Sequence, residues 1–154
     1  MEQGLLHLHN ILRWVVLLFA LLVIIRSMLG MSNNTTFTAG DRKAALFLMI
    51  STDLQLLLGL ALYYFKGWVT VISSGGDVMS NKYNRFFAVE HLAGMLIAII
   101  LIHIGYSASK KALADKAKHK KLFWFTLIAV LIIIVTIPWP FRELVGRPLF
   151  PGMN

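Results

Sequence analysis

Residues Phe86 to Tyr106 read FFAVEHLAGMLIAIILIHIGY, an apolar run whose only ionisable groups besides its terminal tyrosine are Glu90, His91 and His103. About 20 such residues, rising ~1.5 Å each, cover the ~30 Å hydrocarbon layer of a bilayer. Backbone amides and carbonyls find no partners in lipid, so a segment of this kind crosses as an α-helix. Three further blocks share its character: about Leu5 to Leu29, Ala44 to Phe65, and Leu122 to Ile137, the last ended by Pro138 and Pro140. Together they predict an all-α membrane protein, an antiparallel four-helix transmembrane bundle in a bilayer, with residues 1–154 forming a single domain. The first block differs from a secretory leader: Glu2 stands where a positive segment belongs, and no small-residue cleavage site ends the run. It is read as a retained first helix.

Composition agrees with the pattern. The chain is 58% hydrophobic and 14% charged, with a mean hydropathy of +0.72, and a soluble domain of this size would spread its charges more evenly. A net charge of +8 would otherwise point to nucleic acid. Here the Lys and Arg residues gather between apolar blocks, as membrane topology requires, so no nucleic-acid partner is expected. Without cysteine there is no disulfide, thiolate metal site, iron–sulfur cluster or covalently attached c-type haem. No nucleophile–base pair, phosphate loop or pair of catalytic carboxylates stands out, so the reading leans away from an enzyme.

The connecting segments set a direction. The first and third hold Arg26, Arg42, Lys43 and the run from Lys110 to Lys121, whereas the termini and the second hold Lys66, Lys82, Arg85, Arg142 and Arg147. The positive-inside rule then places the third segment in the cytoplasm and both termini outside. Residues 110–121 read as a solvated loop, His119 with them. Ser73 to Asp77 reads as a turn in the second segment.

Ionisable groups inside a span cost about 3 kcal/mol each on insertion scales and face protein or water. His9, Arg13, Glu90 and His91 fall in one layer near the outer surface, joined by Arg142 just beyond the fourth span. Two neutral imidazoles at one depth on two helices suit the axial positions of a b-type haem. Arg13, one turn from His9, and Arg142 would neutralise its propionates, and Glu90 would accept a ligand N–H or pair with an Arg. Structural pairing of the two histidines and a non-haem metal or proton site remain as alternatives. His7 points away from His9 and reads as an interfacial residue. Asp53 lies near the midplane, with Gln55 or Ser51 as expected partners. His103, in the inner leaflet, is twelve residues from His91 and so turned by about 120° from it.

At His7-Leu8-His9, Arg13-Trp14, Val89-Glu90-His91 and Pro138-Trp139-Pro140-Phe141-Arg142-Glu143 the chain resembles small bacterial four-helix membrane proteins labelled cytochrome b, over nearly its whole length. It is similar, more loosely, to two-haem membrane cytochromes b, which space the histidines of one helix by about 13 or 14 residues to keep one face. The resemblance implies haem b, a bacterial inner membrane location, and electron transfer to a redox partner or within a larger membrane complex. A homo-oligomer is a further candidate assembly. One outer haem is expected, with His103 as the ligand a second would need. The competing expectation is a haem-free proton- or ion-conducting or structural subunit built on Asp53, Glu90 and His103.

Overall fold

The computed structural model describes residues 2–75 and 78–152. Helix α1 covers Glu2–Ser32, α2 Ala39–Phe65, α3 Trp68–Ser73 and α4 Lys82–Arg85; a π-helical turn, Phe86–Glu90, leads into α5, His91–Lys110, and α6 is Asp115–Thr136. Four helical runs are long and apolar enough to cross a membrane, with α4, the π turn and α5 forming one of them, Lys82–Lys110. The four pack in a ring, α1 against α2 and α6, and α5 against α2 and α6. Short connections make neighbours antiparallel, and both termini lie at one end of the bundle. That end is called the terminal end below, and the other the lysine end.

The bundle buries its small residues and turns its large ones outward. Ala20, Ala45, Ala98 and Ala129 are at most 1% exposed, whereas Leu18, Leu57, Ile100 and Leu131 are 65%, 63%, 58% and 56% exposed. In lipid the apolar exterior costs nothing, and close backbone approach across small side chains supplies the packing. Gly94 and Ala98, four apart on one helix, serve packing in this way: Ala98 is fully buried, and a Cβ on Gly94 would collide with the Thr136 side chain. On α1 the buried positions are Arg13, Val16, Ala20, Val23, Ser27 and Gly30, and on α6 His119, Leu122, Thr126, Ala129 and Ile133. Alternating steps of three and four are the seam of a left-handed coiled pair.

The helices outrun the apolar blocks because α-helix continues into polar flanks once tertiary packing supports it. The effect is largest at α6. Residues 115–121 form its first two turns rather than a loop, and His119, expected in solvent, is 1% exposed. It occupies the first seam position of α6, where the helix faces Gly30. α2 begins with a capping box: Thr38 Oγ1 accepts from the Asp41 amide and Asp41 accepts from the Thr38 amide, with Arg26 donating to Asp41 at 2.8 Å. Part of the turn expected at Ser73–Asp77 lies outside the described residues.

Candidate functional site

His9 on α1 and His91, the first residue of α5, meet at the terminal end, with ring centroids 6.4 Å apart and planes inclined by 67°. The π turn immediately before His91 carries one residue more per turn than an α-helix, which re-aims the chain where α5 begins. Nδ1 of His91 lies 2.9 Å from the Thr136 carbonyl oxygen, so that nitrogen carries the proton and donates, leaving Nε2 with its lone pair. A metal-binding histidine is typically oriented in this manner. The His9 ring lies against Gly59 of α2, 3.3 Å from where a Cβ would stand. Gln55, one turn earlier on α2, donates Nε2–H to the His9 carbonyl oxygen at 2.9 Å.

These residues wall a cavity of about 320 Å³ between α1, α2 and α5, within the range of small-molecule and cofactor sites. Its other walls include Tyr63, Trp68, Phe87 and Arg147. Three polar atoms around it, His9 Nδ1, Arg13 Nε and Gln55 Oε1, are buried without a hydrogen-bond partner. Buried polar atoms are ordinarily paired, so three orphans around one cavity indicate that something polar completes it.

Arg13 is buried, donates from Nη2 to the Leu149 carbonyl oxygen at 2.8 Å, and lies beside the Trp14 and Trp139 rings. It borders the cavity. Arg142 does not: its Nη1 donates to the Val135 and Ile137 carbonyl oxygens at 2.9 and 3.4 Å, and it lies over Phe86. Helix α6 stops before Pro138 and leaves its last carbonyls without helical partners; Arg142 takes those of Val135 and Ile137, His91 that of Thr136 and Trp139 that of Ile134. Glu90 pairs with Arg85, Oε1 to Nε at 2.7 Å, on the exterior. The arginine that Glu90 was expected to pair with is thus Arg85 and not Arg13 or Arg142: the π turn brings residues five apart onto one face, so Glu90 meets Arg85 on its own helix. Asp53 is corrected likewise. Ser51 donates back to the Phe47 carbonyl oxygen and Gln55 serves His9, while Asp53 Oδ1 lies 2.7 Å from His103 Nε2. His103 belongs to a different face from His91, as the twelve-residue spacing implied.

The tail forms a cover that its sequence pattern does not announce. After α6 the chain folds back over the terminal end, where Asn10 donates to the Pro148 carbonyl oxygen at 3.1 Å and Trp14 to that of Leu149 at 3.0 Å. Phe150 stacks on Trp14 at 5.4 Å. The run of Pro, Trp and Phe from Pro138 was read as a helix stop alone, yet its aromatic content is what a buried cover requires.

Whether these residues fit a haem follows from the donor set. An iron held by one imidazole nitrogen on each side, at ~2 Å, sets the ring centroids about 6 Å apart. The ring centroids of His9 and His91 stand near that separation, in an edge-to-face arrangement. Among the described residues no three His, Cys, Asp or Glu groups gather as a metal cluster. Two imidazoles alone suit a metal that brings its other ligands in a macrocycle, so the donor set is of the kind a haem takes.

Fold and site together define a multi-pass membrane protein with a two-histidine cavity at the end that holds its termini. Comparison with family models, with curated proteins and with solved structures gave no match.

Proposed function

We propose that this protein binds one b-type haem in the cavity between α1, α2 and α5 and passes electrons in a membrane. The reading is carried by His9 and His91 meeting at one depth with ring centroids 6.4 Å apart, and by Nδ1 of His91 being tied to the Thr136 carbonyl oxygen. His9 and His91 would hold the iron. Arg13, whose Nε is unpaired, and Arg147 would offset the propionate charge, Arg147 in place of Arg142. Gln55 and Gly59 hold the His9 side in position. When bound, the haem supplies a one-electron iron couple, and two imidazoles on its iron favour electron passage over oxygen chemistry. The protein's own part is to orient the rings and exclude water, and the tail over Trp14 and Arg13 serves the second task. The resemblance to small bacterial proteins labelled cytochrome b points the same way. With the lysine end in the cytoplasm of a bacterial inner membrane, the cavity lies toward the outer face.

Protein made with ample haem should copurify with one b-type haem per chain and show a six-coordinate, low-spin absorbance spectrum. Folded protein that stays colourless after haem-replete expression rejects the reading. A second reading has its own observation, the Asp53–His103 bond of 2.7 Å. Asp53, His103, Ser107 and Lys111 line one groove toward the lysine end, an arrangement able to conduct protons. Glu90, paired on the exterior with Arg85, does not join it. Proton flux into liposomes that is abolished by Asp53→Asn would favour this second reading over the first.

A further inference from the structure

The Asp53–His103 pair lies on the outside of the bundle. The two side chains are 41% and 45% exposed, in a groove between α2 and α5 otherwise walled mainly by Leu56, Leu96, Ile99, Ile100 and Ile104. Counted from Lys43 and from Lys110, which mark the lysine end, the pair lies about 10–15 Å into the apolar layer. Ionisable groups at such depth are held against protein or water rather than lipid tails. Their mutual bond uses one polar atom of each. Asp53 Oδ2 and His103 Nδ1 make no other hydrogen bond among the described residues.

We propose that a second copy of this chain, in the same orientation, covers this face. Asp53 and His103 lie at one depth, an acceptor beside a donor. A twofold axis along the membrane normal keeps depth unchanged, so it sets Asp53 of each copy against His103 of the other. Such an isologous contact is self-complementary: the surface supplies both the group and its partner. Each spare carboxylate oxygen then accepts from Nδ1–H of a partner imidazole that carries a proton on both ring nitrogens, the form that pairs with two carboxylates, and hydrogen bonds between helices of this kind fasten membrane bundles. Leu57 and Ile100, both strongly exposed on these helices, meet their counterparts around the polar centre. The inference rests on the four-helix fold and not on the haem reading. Leu56 and Ile99 line both the groove and the cavity, so the interface would stand one side-chain layer from each cavity.

The chain has no cysteine of its own, so single-cysteine variants of the full-length protein in bilayers test the contact. Under copper–phenanthroline oxidation, Leu57→Cys and Ile100→Cys should give covalent dimers, and Leu18→Cys and Leu131→Cys, equally exposed on α1 and α6, should not. Native mass spectrometry from lipid nanodiscs should show a dimer. The double variant Asp53→Leu/His103→Leu should raise its dissociation constant at least tenfold with helix content unchanged by circular dichroism. If that variant fails to fold, the four cysteine variants decide. A monomer in bilayers, preferred cross-linking through α1 or α6, or a dimer indifferent to the double variant overturns the proposal. So does a monomer whose groove takes up a lipid-soluble quinone analogue such as decylubiquinone.

Discussion

His119 and Gly30 show how single residues set the bundle. The imidazole is 1% exposed, and both its nitrogens are without a partner. It lies so close to Gly30 that a Cβ there would overlap the ring, with Phe37 on its other side at 5.0 Å between centroids. Overpacking of this kind costs about 1–3 kcal/mol, so Gly30→Ala should lower stability by that order in a detergent unfolding titration. In a double-mutant cycle with His119→Ala the two losses should be less than additive, because the alanine methyl enters space the ring vacates. Strict additivity would show that the two do not touch. At Glu90 the expectation is milder. An exposed Arg85–Glu90 pair is worth about 0–1 kcal/mol, so Glu90→Gln should leave the melting temperature nearly unchanged. A loss of several kcal/mol would mean that Glu90 compensates a buried charge such as Arg13. Depth was legible in the sequence, since counting along a helix gives height in the layer, and so His9 and His91 were matched. Azimuth was not. Which way Glu90, Asp53 and His119 face depends on helix rotation, and a π turn or a longer α6 changes it.

At the scale of elements, the four spans could be read directly, because lipid demands long apolar helices. The seam within them could not. A soluble helix announces its buried face by contrast with a polar one, whereas α1 and α6 are apolar all round and bury small residues at steps of three and four. The tail was illegible for a related reason: prolines announce where a helix ends and say nothing of where the chain goes next. It supplies the carbonyls that Asn10, Arg13 and Trp14 bond. Ending the chain at Arg147 removes those acceptors and leaves the Arg13 guanidinium buried with fewer partners, a loss of about 1–3 kcal/mol. The truncated protein should melt lower and exchange amide hydrogens faster at the terminal end of α1. Unchanged protection there would show that the tail does not hold α1.

The whole molecule is a ring of four helices with two candidate sites among the described residues, the two-histidine cavity at the terminal end and the Asp53–His103 groove on its flank. Its orientation rests on the basic residues, and Lys110 to Lys121 remain charged whether they stand in a loop or in the first turns of α6. Reporter fusions should place residues 110–114 in the cytoplasm and both termini outside, and a terminal fusion active only in the cytoplasm would reverse the assignment. Whether His9 and His91 hold a metal was the least legible question, since a pair of histidines at one height serves a haem or a simple structural contact equally well. The structure adds the 6.4 Å separation and the orphaned atoms of His9, Arg13 and Gln55. The most direct test is electron paramagnetic resonance of the oxidised, haem-replete protein beside its single histidine variants. The account predicts a low-spin bis-imidazole signal that His9→Ala and His91→Ala each abolish, while His103→Ala retains it in full. A low-spin signal that survives both of the first two substitutions, or that His103→Ala removes, would contradict it.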